Sequence, residues 1–579
     1  MLIIVEESIS GSHTALACGY NAHSRRNLNL NFTPPTPTLH AMRISALVLL
    51  VAILGLGSLP CRAHEGHDHG PSDGPENIDA TGIVFDDQNG NGRRDPGEPG
   101  LPDVRVSNGK AIVKTDADGR YHLKISDDAI IFVIKPRNWM TPVNELNLPQ
   151  FFYIHKPAGS PKTKFPGVAP TGPLPKSVDF PLVKRAEPNQ FRALMFGDPQ
   201  PRNVKEVEYI AHDVIEQVIA EEAHQASFGV TLGDIAFDDL NVLKPFNQAI
   251  ALIGIPWYNV IGNHDINYDA TDDKTSDETF ERHYGPSYYS FDHGPVHFMV
   301  LDDVMWTVDT PGKRGKYTGG LGERQMEFIR NDLAGIPADQ LVVLMMHIPL
   351  VSVTDRQELY RLIEQRPFAV SISAHAHYME HRFIGEEDGW KGPEKHHHVI
   401  NVTVCGSWWR GAPDERGLPH TTMKDGGPNG YSIMTFDGHK YDLEFRAASR
   451  PAHYQMNIYA PEEIELAALP SEADQLPKVV VNVFNGSERT KCEFRIGDED
   501  AWKLMEQTTT KDPAYVAAIA LEESLGKKAW TGLPAARDTP HIWQATLPVD
   551  LKPGTHAIEV RATMMSGKQH VSKRIMRVR

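Results

Sequence analysis

The sequence is poor in cysteine and in basic charge. Only four cysteines occur among 579 residues, and none has the spacing of a cysteine zinc site, so a structural zinc site of that type is excluded. Cys405 and Cys492 belong to the expected mature protein and could pair or stay free. Basic residues number 58 against 75 acidic ones, which gives a formal net charge of −17. This balance argues against wholesale binding to nucleic acid, because such binding needs basic surface to displace counterions.

Long apolar runs are also scarce. The run 46–56 follows Arg43 and ends shortly before small residues, an order that predicts a secretory signal peptide at 42–63. The run is too short to span a membrane, and no later segment is long and apolar enough to do so. Lipid attachment at Cys61 is the alternative. We therefore expect a periplasmic or secreted protein.

The predicted signal peptide separates two further segments of the N-terminal region. Residues 1–41 are expected to lie upstream of the true start at Met42, and 64–78 are expected to form a disordered, histidine-rich tail. The remaining length is too great for one core and predicts several domains.

Three regions follow the tail. Residues 79–185 read as an N-terminal β domain with a proline-rich linker, in which Asp118-Gly119 predicts a hairpin turn. Between 190 and 447, apolar strands alternate with helical stretches, which indicates a layered α/β fold. The run His396-His397-His398 is expected to begin an exposed strand of this region. Short strand-like segments return at 448–579 and predict a C-terminal β domain.

Polar clusters follow five apolar runs of the α/β region. On a strand, residues two apart point the same way, so Asp198 and Gln200 can face one point, as can His375 and His377. Carboxylates and imidazoles together suit Mn²⁺, Fe or Zn²⁺. The clusters therefore predict a hydrolytic site with two metal ions. They are Gly197-Asp198-Pro199-Gln200, Gly233-Asp234, Gly262-Asn263-His264-Asp265, His347 and Ala374-His375-Ala376-His377.

The order of these clusters across residues 191–447 resembles the calcineurin-like metallophosphoesterase superfamily. The whole layout resembles secreted bacterial members with N- and C-terminal β domains. The resemblance implies an α/β catalytic domain, a four-layer αββα sandwich, flanked by all-β, sandwich-like domains. It also implies two groups of metal ligands and one bridging carboxylate. The first metal would be held by Asp198, Gln200 and His377, the second by Asn263, His347 and His375, and both by Asp234.

The resemblance gives His264 a catalytic position near the leaving group, with Asp265 beside it. As an imidazolium, His264 could donate a proton to the departing oxygen, and Asp265 could keep it protonated. Two departures from the family pattern occur. Gln200 replaces a common histidine, so the first metal is expected to bind loosely or best as Mn²⁺, and Ala374 replaces a usual glycine.

Residues 405–411 follow the last metal cluster and contain candidate substrate contacts. Arg410 could clamp a phosphate through its planar guanidinium. Trp408 or Trp409 could stack on an aromatic leaving group, although an ordinary aromatic pair at the edge of the core explains them equally well.

The expected function is hydrolysis of phosphomonoesters or phosphodiesters through metal-bound hydroxide. The substrate would be a phosphorylated small molecule, lipid or protein. One alternative is a pyrophosphatase acting on nucleotide-diphosphate conjugates. Another is a noncatalytic surface-binding protein with a relic metal site, against which the intact ligand set argues. The sequence leaves the natural substrate and the oligomeric state open.

A second metal-binding pattern lies in the N-terminal domain. Twelve residues from Asp87 to Glu98 match a calcium loop, and Gly92 permits its sharp turn. Pro96 and Pro99 oppose a following helix, so the loop resembles that of bacterial surface repeat domains, in which calcium stabilises a β-sandwich. The alternative is an Asn/Gly-rich turn. The expected calcium ligands are Asp87, Asn89, Asn91, Arg93, Asp95 and Glu98.

Overall fold

The computed structural model describes residues 74–221, 225–310, 312–472, 475–497 and 500–579. The signal at 42–63, Cys61 and most of the histidine-rich tail lie outside these ranges. Within them, no helix has both the length and the apolar character needed to cross a membrane.

The N-terminal domain consists of two four-stranded sheets, with strand orders β4-β1-β8-β6 and β3-β2-β5-β7. Its strands are β1 (Ile78–Asp86), β2 (Arg105–Ser107), β3 (Ile112–Lys114), β4 (Arg120–Ile125), β5 (Ala129–Ile134), β6 (Trp139–Met140), β7 (Phe152–His155) and β8 (Phe180–Lys184).

The hairpin predicted around Asp118-Gly119 is wrong. The turn is present, but β3 pairs with β2 whereas β4 pairs with β1 in the other sheet. Alternate residues of β4, including Tyr121 and Leu123, are buried in the core. The turn therefore takes the chain from one sheet to the other, a choice that local turn chemistry does not determine.

The central region, residues 190–447, consists of a five-stranded sheet, β11-β10-β9-β20-β21, a six-stranded sheet, β12-β13-β16-β17-β19-β18, and the small pair β14-β15. Its strands are β9 (Gln190–Phe196), β10 (Phe228–Leu232), β11 (Trp257–Val260), β12 (Tyr289–His293), β13 (Val296–Val300), β14 (Val304–Thr307), β15 (Lys316–Gly319), β16 (Leu341–Met345), β17 (Ala369–Ser373), β18 (Glu380–Ile384), β19 (His396–Ile400), β20 (Gly430–Asp437) and β21 (Lys440–Ala447). Its helices are α1 (Val204–Ile210), which continues through a π turn (Ala211–Ile215) into α2 (Glu216–Ala220), α3 (Leu243–Ile250), α4 (Glu278–Tyr284), α5 (Gly322–Ala334) and α6 (Arg356–Ile363).

The side chains of the two large sheets define four layers. Along β9, Ala193 and Met195 belong to the core shared with the second sheet, whereas Leu194 and Phe196 belong to the cluster that includes α1 and α3. Successive side chains of β9 thus point to opposite faces of the sheet, and both faces are buried. On the other side, α5 and α6 bury apolar residues in the core of the second sheet. The predicted αββα arrangement is confirmed.

The expectation that His396, His397 and His398 are exposed is wrong. They do begin β19, but β19 lies between β17 and β18, and all three side chains are buried. Neighbouring hydroxyl groups satisfy them. For example, His398 Nδ1 lies 2.7 Å from the Ser371 hydroxyl oxygen, and His397 Nδ1 lies 2.7 Å from that of Tyr441.

In its described residues, the C-terminal domain contains two sheets, β22-β24-β28-β27 and β23-β30-β29-β25-β26, one α-helix and a short 3-10 helix (Leu466–Ala468). Cys405 and Cys492 are both free and buried, so they do not pair. The elements of this domain are β22 (Met456–Tyr459), β23 (Glu463–Ile464), β24 (Lys478–Val483), β25 (Lys491–Ile496), β26 (Lys503–Leu504), β27 (Glu506–Thr510), α7 (Pro513–Ser524), β28 (Thr539–Thr546), β29 (Gly554–Thr563) and β30 (Gln569–Val578).

A buried ionic cluster joins the N-terminal domain to the central region. Arg105 of β2 donates to Asp332 of α5 over 2.5 Å and lies 3.4 Å from Asp292. His297 lies 3.0 Å from Asp332 and 2.8 Å from Asp292. Burial alone would lower the pKa of His297, but the two carboxylates outweigh it and raise the pKa to about 9.

This cluster predicts a pH-dependent contribution to stability. The unfolded pKa of His297 is 6.5 and the folded value is about 9, so its contribution is complete below pH 6.5 and is lost as pH rises through about 9. We expect the His297→Gln variant to be about 3 kcal/mol less stable than wild type below that window. The difference in the free energy of unfolding between the variant and wild type, measured by urea unfolding, should shrink as pH rises from 6.5 to about 9. The exposed His453→Gln is the control, and a pH-independent difference would contradict the assignment.

Candidate metal centre

The five polar clusters follow the carboxyl ends of parallel strands. In the first sheet, β9, β10 and β11 run parallel to one another, and in the second sheet β16 and β17 do so. The clusters begin directly after or within two residues of these strand ends. Because the carboxyl ends of parallel strands share one edge of a sheet, both sheets present their clusters at the same side of the sandwich.

The side chains expected to bind the second metal lie close together. His347 Nε2 is 3.1 Å from Asn263 Oδ1, 3.3 Å from Asp234 Oδ1 and 3.1 Å from His375 Nδ1. One ligand atom each from Asp234, His347 and His375 lies within 4.8 Å of the others. This spacing fits the coordination sphere of one ion.

The side chains expected to bind the first metal surround the same carboxylate. Gln200 Nε2 donates to Asp234 Oδ2 over 2.7 Å, and His377 Nε2 lies 3.3 Å from Asp198 Oδ2. The structure thus brings all seven expected ligands together around Asp234. Six of them are buried, and His375 is partly exposed.

Two histidines have ring orientations that suit metal binding. His347 Nδ1 lies 2.9 Å from the carbonyl oxygen of Leu232, and His377 Nδ1 lies 2.6 Å from that of Gly406. A backbone acceptor at one ring nitrogen fixes the proton there and leaves the other nitrogen available as a ligand. In both residues the remaining Nε2 points at the carboxylates of the site.

One buried carboxylate oxygen in the centre accepts no hydrogen bond. Asp198 Oδ2 receives no hydrogen bond although the side chain is completely buried. Burial raises the pKa of Asp198 to about 7. A buried carboxylate oxygen without a hydrogen bond is costly, and a cation would supply counter-charge to it. Two carboxylates, two amides and three imidazoles form a donor set that suits divalent transition ions, so the residues fit the metals.

Glycine is required at two of the clusters. A Cβ at Gly233, whose φ is +81°, would lie 2.4 Å from His347 Nδ1. A Cβ at Gly262 would lie 2.0 Å from the Asp234 backbone nitrogen. No larger residue fits at either position, which explains why glycine precedes the ligand in the Gly-Asp and Gly-Asn pairs.

The partner predicted for His264 is corrected by the structure. Its Nδ1 lies 2.6 Å from Asp238 Oδ1, and its ring stacks on Phe237 at a centroid distance of 4.3 Å. Asp265 instead accepts hydrogen bonds from the backbone N–H groups of residues 235, 236 and 262. Asp265 therefore fixes the loops around the site, and sequence neighbours do not share a direct contact here.

The charges around His264 favour its protonated form. Burial alone would lower the pKa of the imidazole. The carboxylates of Asp234 and Asp238 outweigh burial and hold the pKa above its ordinary value. Asp238 was missed in the sequence because it belongs to none of the clusters and lies in a loop.

The candidate substrate contacts divide into two groups. Trp408 lies with its ring centroid 3.9 Å from that of His377, and Arg410 lies beside it with Cζ 5.3 Å from the Trp408 ring. Trp409 is buried instead, and its indole N–H donates to the carbonyl oxygen of Pro199. The prediction that Trp409 could stack on a substrate is therefore wrong, since its ring is part of the core. Lys424, also missed in the sequence, lies 5.3 Å from the Trp408 ring.

Comparison with known proteins gives two family matches. Residues 88–167 match the N terminal of calcineurin-like phosphoesterase, and residues 397–570 match its C terminal. No curated protein matches the chain. Among solved structures, a purple acid phosphatase from yellow lupin (Lupinus luteus) seeds is 14% identical over 60% of this chain and 67% of that chain, with a TM-score of 0.33.

The two family matches lie on either side of the strand ends that bear most of the polar clusters. They confirm the resemblance drawn from the order of those clusters. The chain is thus similar to the calcineurin-like phosphoesterases on both sides of the candidate metal centre, and it is a metal-dependent hydrolase of phosphoric esters.

Proposed function

We propose that the protein is a dinuclear metal enzyme that hydrolyses phosphomonoesters or phosphodiesters. The Oδ2 of Asp198 accepts no hydrogen bond although it is buried within a converging set of seven donors, and this observation supports the proposal most directly. A relic site would not need to keep a buried carboxylate oxygen without a hydrogen bond, so this observation also opposes the noncatalytic alternative.

The ligand assignment follows the arrangement of the side chains. Asp198, Gln200 and His377 would hold one ion, and Asp234 would lie between the two. The second ion would be held by Asn263, His347 and His375. When bound, two divalent ions neutralise the phosphoryl charge and activate water near neutral pH. An amide is a weak ligand, so Gln200 favours Mn²⁺ in the first position over a tighter-binding ion.

His264 is the proposed proton donor to the leaving group. Its Nδ1 is engaged by Asp238 over 2.6 Å, so Nε2 is the nitrogen that can face the substrate. The backbone N–H of His264 donates to Asp234 Oδ1 over 2.9 Å, which fixes the imidazole next to the ligands. Asp238 thus keeps the ring oriented and protonated while Nε2 donates.

The location and the calcium loop are proposals as well. The side chain of Asp87 is buried and accepts from the backbone N–H groups of Asn91 and Gly92. Asn89 and Asn91 both donate to Asp95 Oδ2 over 2.8 Å. These contacts draw the side chains of the loop together, as calcium binding requires. An extracytoplasmic location, proposed from the signal at 42–63, would supply the calcium concentration that such loops need.

The first prediction from the proposed function concerns activity. With Mn²⁺ the wild type should hydrolyse p-nitrophenyl phosphate or bis(p-nitrophenyl) phosphate. His264→Ala should lower kcat about 10²- to 10⁴-fold for esters of a poorly leaving alcohol, because loss of a general acid has that size of effect. The loss should be smaller for p-nitrophenyl esters, whose leaving group needs little protonation. His212→Ala, an exposed histidine of the helical stretch after β9, is the control. An equal loss for both leaving groups would contradict the role of His264.

The second prediction concerns metal content. Asp234→Asn should remove charge from both ion positions, so the variant should retain less Mn²⁺ than wild type after loading and desalting, as measured by plasma mass spectrometry. Asp238→Asn is the matched control, because Asp238 contacts His264 and not the seven donors. Equal metal content in Asp234→Asn and wild type would refute the shared-carboxylate assignment.

The third prediction concerns calcium. Saturating Ca²⁺ should raise the Tm of the wild type, with a stabilisation of about 2.7 kcal/mol at a hundredfold excess over Kd. Asp87→Asn should abolish the calcium-dependent shift, whereas Asp118→Asn, in an exposed turn of the same domain, should keep it. A shift of equal size in Asp87→Asn would show that calcium binds elsewhere.

A further inference from the structure

Two cationic side chains flank Trp408 beside the metal centre. Lys424 Nζ and Arg410 Cζ each lie 5.3 Å from the centroid of the Trp408 ring. The Trp408 ring in turn lies 3.9 Å from the ring of His377, one of the seven donors. Both cations therefore lie close to the place where a substrate phosphoryl group would bind.

Neither cation forms a salt bridge with a described residue, although the carboxylates of Asp425 and Asp198 act on Lys424 from a longer distance. Among the described residues, no carboxylate lies within ion-pair distance of Lys424 or Arg410, and the buried Nε of Arg410 donates no hydrogen bond. Both side chains are partly buried. Partial burial of an unpaired cation is unfavourable, and a chain with 75 acidic residues has many available partners. The missing partners indicate that an external anion binds here.

The C-terminal domain fixes the backbone that presents Lys424. The carbonyl oxygen of Lys424 accepts from the backbone N–H of Arg537 over 3.1 Å. The next residue, Asp425, is buried, lies 3.2 Å from His541 Nε2 and accepts from Asn482 Nδ2 at its carbonyl oxygen over 3.0 Å. Because the backbone at Lys424 is held in place before a ligand arrives, less entropy is lost on binding than with a mobile loop.

We propose that Lys424 and Arg410 bind a second anionic group of the substrate, a phosphoryl or carboxylate group next to the scissile phosphoryl. The inference rests on the proposed function and narrows its substrate class. Two divalent ions, when bound, and His264 would neutralise the charge of the scissile group. Lys424 and Arg410 add two positive charges beyond those that the scissile phosphoryl group requires. They can therefore bind a second anionic group of the substrate, such as the second phosphoryl group in the pyrophosphate diesters of nucleotide-diphosphate conjugates.

The test compares substrates that differ in that second anion. Bis(p-nitrophenyl) phosphate has one negative charge, ADP-ribose is a pyrophosphate diester, and a p-nitrophenyl phosphodiester of a hydroxy acid has a carboxylate as its second anion. Lys424→Ala and Arg410→Ala should each raise KM about tenfold for the substrates with a second anion, with little change in kcat. The KM for bis(p-nitrophenyl) phosphate should stay within about twofold. The substrate whose KM rises in the variants shows whether the second anion is a phosphoryl or a carboxylate group.

Two controls separate charge from general damage. Lys424→Arg should restore most of the KM, because it keeps the positive charge. Lys503→Ala removes an exposed lysine of β26 and should change none of the constants.

Failure of this inference can be distinguished from failure of the proposed function. An equal loss on all substrates, or no loss on any, would overturn the inference, since the cations would then serve the scissile group or nothing. If wild type hydrolyses none of these esters, the proposed function fails. Calorimetric titration of the loaded wild type and Lys424→Ala with ADP-ribose then decides the inference. About tenfold weaker binding to the variant supports it, and equal binding overturns it.

Discussion

The site depends on the burial of one carboxylate, Asp234, where the two sheets of the sandwich meet. Asp234 receives the amide of Gln200 at one oxygen and the backbone N–H of His264 at the other, and His347 lies 3.3 Å away. Burial opposes its charge, but the neighbouring histidines hold its pKa below the ordinary value. Residues from three separate strand ends therefore take their positions relative to a single buried anion.

The segment after β19 joins the two sheets at this point and links the site to the C-terminal domain. Val404 and Cys405, which follow a strand of the second sheet, donate their backbone N–H groups to Gly197 and Asp198 at the end of β9. This crossing places Trp408 over the metal donors and continues into the loop that contains Lys424. The C-terminal domain contacts that loop through His541, which lies 3.2 Å from Asp425, so packing in that domain positions the loop beside the candidate site.

The sequence was sufficient to predict that the seven candidate donors converge, because each follows an apolar strand closely and the family order links them. It was insufficient for Asp238 and Lys424, whose positions depend on loops and on packing by a distant domain. Neighbouring tryptophans could not be separated either. Trp408 and Trp409 both have positive φ values, so their side chains do not follow the alternation of a strand, and only packing determines which one faces the site. His396, His397 and His398 were misjudged because burial of β19 depends on strands far away in sequence.

Backbone strain at the candidate donors shows that the fold holds them in position. Five of the seven donors, Asp198, Gln200, Asp234, His375 and His377, have positive φ values between 36° and 66°. Each such residue costs on the order of 1 kcal/mol and persists only where the surroundings determine it. Here they do, because the backbone of Gln200 donates to Asp234, Cys405 donates to the carbonyl oxygen of Asp198, and His375 donates to the Asp198 carboxylate. The fold itself therefore maintains the donor geometry, so metal binding needs little rearrangement of the chain.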